Sequence, residues 1–124
     1  MPTLLLLLAL CTAQVDALGA EFRELRPIPG HFGGGEWVEA VDAWGGRKHR
    51  VMEALGQALA RAPEARIREV MGPPDDSPGA WGRVRPPEGV THLLVYHWRG
   101  DRDFLYFLRA GTEARGSGWW MAWE

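Results

Sequence analysis

Histidines and aspartates are the residues of this chain whose side chains could bind a metal ion or move a proton. The four histidines are His31, His49, His92 and His97. Their spacing matches no metal-ligand motif, and His92 and His97 should face opposite sides of a strand because side chains alternate along it. A metal site would therefore need two histidines that meet Asp75 or Asp76 in three dimensions.

Few other residues could support catalysis. Two carboxylate pairs are available, Asp75/Asp76 and Asp101/Asp103. Such pairs can do acid–base work, but aspartate is also common in turns, where it accepts hydrogen bonds from the backbone. The only serines, at positions 77 and 117, are not in a nucleophile elbow, and the single cysteine, Cys11, lies near the amino terminus.

These residues predict a protein without catalytic residues, metal or cofactor. The alternative is a small hydrolytic or metal-dependent enzyme. Its site would combine the loop 75–90, His31 and the tip of a predicted hairpin at residues 99–103.

Tryptophan is the unusual feature of the composition. Seven of the 124 residues are Trp, a side chain that supplies both large core burial and binding hot spots. We expect most of them in the core and one or two at a binding surface. Trp37 is one candidate. Trp120 is another, since alternation along the last strand places it opposite Trp119 and Trp123.

Two charged stretches could also contact a partner. Arg47, Lys48 and His49 fall in the predicted first turn of a helix, where positive charge is unfavourable. This cluster is either a solvated face or a docking surface for an acidic ligand. Arg99 and Asp101, separated by one glycine, spell the integrin-binding tripeptide at the hairpin tip, although Gly-Asp is also ordinary turn chemistry.

Charge and cysteine content exclude several classes of function. The net charge of −2 at pH 7 gives no reason to expect nucleic-acid binding. One cysteine cannot form an intramolecular disulfide or a cysteine-based metal site. The apolar run at residues 3–13, TLLLLLALCTA, is too short to span a membrane as a helix.

Residues 1–17 have two interpretations. The apolar run has the length of a signal peptide, and small-residue cleavage patterns end at Ala13 and Ala17. No Lys or Arg precedes the run, and Leu10 does not fit a lipobox at Cys11. Secretion is favoured over a cytoplasmic location, and the alternative is a short N-terminal helix packed on the domain. Residues 18–124 are expected to form a single α+β domain.

A β-hairpin over residues 91–110 organises the predicted fold. Two alternating apolar runs flank the polar turn at 99–103, as in hairpins with loops of a few residues. Alternation places Leu94, Tyr96 and Trp98 on one face. Because neither face is cleanly polar, both should be covered, the second by the connector 26–35 and the segment 37–44.

Two helices should pack against this hairpin. Periodicity predicts a main helix over residues 47–60, after a break at Gly45-Gly46, and a second helix from Pro63 to the stop signal at Gly72. The stretch 75–89 reads as an irregular loop, and residues 119–123 as a last short strand after a spacer. The order ααβββ predicts an α+β two-layer domain with both helices on one face of a three-stranded antiparallel meander.

Half of the chain resembles the SmpA/OmlA (BamE-like) domain. The resemblance rests on VMGPP at 70–74, at the end of a helix, followed by YHW at 96–98 and the aromatic strand FLYF at 104–107. It implies a BamE-like fold. It also implies a non-catalytic, protein-binding role, which members of that fold perform at the bacterial outer membrane.

The chain beyond residue 25 also resembles small, uncharacterised fungal proteins. Their pattern IPGHF-x-GGEW is found at 28–37, GRKH-x-x-M-x-x-LG at 46–56, and SGWW at 117–120. This resemblance implies that the proteins are related, but it implies no activity. From the aromatic excess and an open last strand we predict a binding module whose partner is another protein or a ligand.

Overall fold

The computed structural model describes residues 10–122 and shows an α+β fold. The helices are α1 (Thr12–Leu25), α2 (Glu39–Asp42), α3 (Arg47–Ala58), α4 (Glu64–Met71) and α5 (Ala80–Val84), and the strands are β1 (His92–Arg99), β2 (Asp103–Ala110) and β3 (Glu113–Trp120). Most of the predicted leader and Trp123 lie outside the described residues, so cleavage of residues 1–17 stays a prediction. The expected boundary after residue 17 falls inside α1.

The three strands form an antiparallel sheet in the order β1-β2-β3, which confirms the predicted meander. Leu94 lies opposite Phe107 and Tyr96 opposite Leu105. Directly opposed residues share a face of the sheet, so these four side chains form one apolar surface. The predicted turn at 99–103 connects β1 to β2.

That surface meets the helices in the main core. The buried members are Val15, Phe22, Val51, Met52, Leu55, Leu59, Ile67, Val70, Met71, Leu94, Tyr96, Trp98, Leu105 and Phe107. Helix α3 contacts all three strands, and α1 packs against both α3 and α4. The break predicted at Gly45-Gly46 is confirmed, since Gly45 has a φ of +75° and Gly46 caps the start of α3.

The prediction of two helices on this face was incomplete. Helix α1 adds a third, and its buried residues are Val15, Gly19, Phe22 and Leu25. Its apolar positions recur at i, i+4 and i+7, a helical period that the leucine run before it obscures. None of the helices within residues 10–122 is long and apolar enough to cross a membrane.

The second face of the sheet is covered by α5, and the prediction that residues 26–44 would cover it was wrong. Ala80 of α5 is buried with Val95 and Phe104, and Val84 and Trp120 pack around them. The stretch 75–89 is therefore not wholly irregular. Five helical residues bounded by prolines and glycines are too few to show a period in the sequence.

The last strand is longer than predicted and begins earlier. Residues 113–118, expected as a spacer, pair with β2. Gly118 lies opposite Tyr106, and a Cβ added there would stand 2.5 Å from the tyrosine oxygen. Because Gly118 has no side chain, the Tyr106 ring can lie across β3. This cross-strand contact outweighs the low strand propensity of glycine.

Replacing Gly19 with Ala should destabilise the fold at the α1–α4 contact. A Cβ at Gly19 would lie 2.5 Å from the backbone oxygen of Val70, so the helices would have to separate, at a cost of about 1–3 kcal/mol. Gly82→Ala is the control, since Gly82 is also helical and its added Cβ would meet nothing within 4 Å. Urea unfolding measures the free energy of unfolding of both variants. Equal stability of the two would contradict the close approach.

Candidate functional site

A cleft of about 460 Å³ opens between the connector 26–33, the start of α3 and the hairpin tip. Its polar and charged lining residues are Arg26, Lys48, Asp75, His97 and Asp101, and its larger apolar ones are Ile28, Pro29, Phe32 and Trp98. A concave surface with apolar walls and a few convergent charged groups is the usual form of a ligand site.

Asp42, at the end of α2, holds the loop that forms one wall of the cleft. Its carboxylate is fully buried and accepts hydrogen bonds from the backbone N–H groups of His31 and Val38, both at 2.8 Å. A longer contact of 3.5 Å joins it to the N–H of Phe32. Burial opposes ionisation of Asp42, but these donors outweigh it and lower its pKa. The loop is thus folded around a charged centre.

The same region is tied to the sheet by side chains of β1. Trp98 is buried and donates from Nε1 to the backbone oxygen of Val41 at 2.8 Å. Arg99 donates to the backbone oxygen of Asp42 at 2.6 Å and pairs with Asp103 at 2.9 Å. These bonds fix α2 against the end of β1.

Lys48, in the first turn of α3, places its amine in the cleft although only 4% of the residue is exposed. Among the hydrogen bonds and ion pairs of residues 10–122, none involves its ammonium group. Burial lowers the pKa of Lys48 to about 8. The neighbouring Arg26 lowers it further, while Asp75 and Asp42 act in the opposite direction. A charged amine is held here without a direct partner.

Asp75 joins three parts of the cleft wall. Its Oδ1 pairs with Arg26 at 3.1 Å, and its Oδ2 accepts the backbone N–H of His97 at 2.8 Å. Its own N–H donates to the backbone oxygen of Val95 at 2.7 Å, so the chain after α4 lies along the edge of β1. The Nδ1 of His97 is 3.7 Å from Asp75, beyond hydrogen-bond distance, and its Nε2 is buried without a partner within the described chain.

Aromatic side chains form a rim beside the cleft. Phe32, Trp37 and Trp44 are exposed, and Phe32 makes edge contacts with His31 at 5.2 Å and with Trp37 at 6.2 Å between ring centroids. The Arg99 guanidinium lies 4.4 Å from the Phe32 centroid. A second cavity of about 260 Å³ adjoins the rim and shares Phe32 and Asp101 with the cleft.

The structure brings five of the predicted binding residues to this end of the molecule. Lys48 and Asp101 line the cleft, Arg99 lines the adjoining cavity, and His31 and Trp37 belong to the rim. Their role in binding stays a prediction.

The other three predicted residues lie elsewhere. Arg47 is exposed and pairs with Glu21 and Glu24 of α1. Trp120 lies on the opposite face of the sheet from Trp119, as predicted, and stacks on Phe104 at 5.9 Å between centroids.

The prediction of one basic face at residues 47–49 was wrong. His49 is buried, and its ring lies 4.3 Å from that of Trp44 and 4.6 Å from that of Trp98. Burial lowers the pKa of His49, and its Nδ1 accepts the backbone N–H of Gly45 at 3.0 Å, as a neutral ring can. Successive residues of a helix point in different directions, so Arg47, Lys48 and His49 meet different surroundings.

Sequence reasoning missed Arg26, Phe32 and His97 as lining residues. Arg26 follows the last turn of α1, where a basic residue is ordinary, and its partner Asp75 is distant in the sequence. His97 was considered only as a metal ligand. No group of three or more His, Cys, Asp and Glu residues that could hold a metal occurs within residues 10–122.

The expected enzyme site is assembled only in part. The start of the loop 75–90 meets the hairpin tip at the cleft, but the His31 ring contacts Phe32 and Trp37 instead of lining it. Comparisons of the chain with protein-family models, curated proteins and solved structures find no match. Function must therefore be argued from the cleft itself.

Proposed function

We propose that this protein is a non-catalytic binding module whose ligand places an anionic group in the cleft beside Lys48. The observation that carries the proposal is the Lys48 amine, which belongs to a buried residue that lines the cleft and makes no hydrogen bond or ion pair within residues 10–122. Burying a charge without a partner is costly, and such groups concentrate at functional sites. A carboxylate or phosphate in the cleft would supply the missing partner.

The ion pairing in the cleft supports an anion beside Lys48. Arg26 and Asp75 form an ion pair at 3.1 Å. Lys48 has no such pair, although the carboxylates of Asp75 and Asp42 raise its pKa, and Asp101 lies at the exposed hairpin tip. Phe32 and Trp98 offer apolar surface to the remainder of the ligand.

The aromatic rim favours a protein as the bearer of that group. Phe32 and Trp37 are exposed and in contact with each other, Trp44 is exposed beside Trp98, and aromatic side chains dominate protein-binding hot spots. We propose that an acidic side chain or a chain-terminal carboxylate of the partner enters the cleft while the rim contacts its surface.

We also propose kinship with the BamE-like binding modules and with the fungal proteins named above. The order of α3, α4 and the β1–β2 hairpin and the antiparallel meander support the first. The additional helices α1 and α5 are departures from the two-helix pattern. The location of His31, Trp37 and Lys48 near one cleft supports a shared role for the first two fungal motifs, whereas SGWW at 117–120 lies on β3.

Benzoate titration followed by ¹H–¹⁵N NMR tests the anion site. Benzoate should shift the Trp98 indole signal and the amides of residues 97–101 in the millimolar range, whereas benzyl alcohol, which lacks the charge, should not. Binding should weaken as pH rises through about 8, because Lys48 loses its proton there.

Two variants on α3 serve as controls. Lys48→Met should abolish the benzoate shifts, and Arg50→Met, which removes an exposed positive charge from the same helix, should leave them unchanged. Equal responses to benzoate and benzyl alcohol, or shifts that survive Lys48→Met, would contradict the proposal.

A further inference from the structure

We propose that Lys48 is a covalent modification site, whose amine condenses with the carbonyl carbon of a small oxoacid in the cleft to form an imine. The inference rests on the proposed anion site and adds a reaction to it. Two observations that are not needed for binding support it. The buried side chain of Lys48 ends in a nucleophilic amine, and the Nε2 of His97, in the same cleft, has no hydrogen-bond partner within the described residues.

The first observation is that the Lys48 amine has no competing contacts. A lysine held by carboxylates is kept protonated and unreactive, but no hydrogen bond or ion pair occupies this amine among the described residues. Lysines that are desolvated in a pocket, or placed near another cation, are the ones that act as nucleophiles. Lys48 meets the first condition through its burial; of its charged neighbours, Asp75 and Asp42 raise its pKa and Arg26 lowers it.

The second observation is His97, which lines the same cleft. Its Nε2 is buried and has no hydrogen-bond partner in the described chain, so this nitrogen keeps an unused hydrogen-bonding position beside the cleft. The groups that face this space are Arg26 after α1, Asp42 of α2, Asp75 after α4, and Asp101 at the hairpin tip. Of these, Arg26 is the only cation, and the several N–H donors of its guanidinium allow it to bind the carboxylate of an oxoacid while it stays paired with Asp75.

The reaction balances without an oxidant or reductant. The lone pair of the neutral amine attacks the carbonyl carbon, a C–N bond forms, and one proton passes from the nitrogen to the carbonyl oxygen to give a carbinolamine. The nitrogen then loses its second proton, the oxygen gains it, the C–O bond breaks, and water leaves, which yields the neutral imine. We assign His97 as the group that carries these protons from nitrogen to oxygen.

Glyoxylate with sodium cyanoborohydride tests the proposal on the full chain at pH 7.5. The reductant traps an imine as a stable carboxymethyl amine, which intact mass and peptide mapping detect. Lys48 is the only lysine, so a labelled peptide containing residue 48 identifies it, and the N-terminal amine gives an internal reference. Lys48→Arg, which keeps the charge but lacks the nucleophile, should lose that label.

An Arg50→Lys variant supplies the matched control, because it adds an exposed lysine to the same helix. About a quarter of an amine with a pKa near 8 is neutral at pH 7.5, against about a thousandth of an ordinary lysine. We expect Lys48 to be labelled at least ~10-fold faster than the added residue. Labelling of Lys48 at the same rate or more slowly would overturn the proposal.

Two further measurements separate this inference from the proposed function. Propionaldehyde, which has no carboxylate, should label Lys48 more slowly than glyoxylate does. If benzoate binds but glyoxylate labels Lys48 no faster than the added lysine, the covalent step is wrong and the anion site stands. If both aldehydes label Lys48 equally and benzoate does not bind, the anion site is wrong, and with it the proposed oxoacid specificity.

Discussion

Replacing Asp42 with Ala is expected to lower the free energy of unfolding by about 3 kcal/mol, because two backbone donors lose their buried, charged acceptor. The N–H groups of His31 and Val38 each donate to this fully buried carboxylate at 2.8 Å. Without it, the loop 30–38 has no centre around which to fold. The Trp98 indole should also weaken its bond to Val41, since that oxygen belongs to the helix that Asp42 ends.

Urea unfolding with tryptophan fluorescence measures this loss, and hydrogen exchange at the amides of His31 and Val38 locates it. Asp42→Asn should cost less than Asp42→Ala, since one acceptor oxygen remains. Asp101→Ala removes an exposed carboxylate and should change stability by less than about 0.5 kcal/mol. If Asp42→Ala unfolds no more easily than Asp101→Ala, the loop is held by other contacts.

The Asp42 contribution should also depend on pH. Because its folded-state pKa lies below the ordinary value of 3.8, the contribution is present above that value and is lost as the pH falls towards the lowered pKa. The free energies of unfolding of wild type and Asp42→Asn should therefore converge as the pH is lowered.

The hairpin could be predicted from sequence because its signals are local. Apolar alternation fixes the faces of β1 and β2, and a polar turn containing Gly100 fixes where they reverse. The start of α3 is equally local, since Gly45-Gly46 interrupts the helical period. β3 was not predicted at its full length because Gly116 and Gly118 read as spacer, and only pairing with β2 makes them strand.

The candidate site could be predicted only in part because it is assembled from distant segments. A basic first turn indicates solvent exposure on local grounds, whereas Lys48 is buried by the connector 26–33 and the hairpin tip folding over it. The ion pair of Arg26 with Asp75 has no signature in the spacing of either residue. His31 and Trp37 were selected for their residue types, but Asp42, which holds the backbone of His31 and Val38, has no local signature.

Replacing Lys48 with Met should stabilise the protein by about 3 kcal/mol at pH 7, because it removes a buried charge and retains an unbranched side chain of similar length. The lowering of the Lys48 pKa from 10.5 to about 8 corresponds to a cost of this size for that charge. A substitution that strengthens the fold while abolishing benzoate binding would be the signature of a residue kept for function.

The pH dependence of the stability difference between wild type and Lys48→Met identifies its cause. Below about pH 8 lysine is protonated in both the folded and the unfolded protein, so the folded state bears the full penalty. Between about 8 and 10.5 the unfolded chain binds more protons than the folded one, so the stability of the wild type should rise with pH. Lys48→Met lacks this rise, and the gap between the two proteins should close over the same interval.

Tyr96 provides an internal check at higher pH. Burial raises its pKa from 10 to about 12, so its stabilising contribution is complete below pH 10 and is lost as the pH rises towards 12. Both proteins should show this loss, since both retain Tyr96. A Lys48→Met variant that is no more stable than wild type at pH 7, or a gap that does not change between pH 8 and 10.5, would mean that the ammonium is solvated in the folded protein. The cleft would then hold no uncompensated charge for an anion to neutralise.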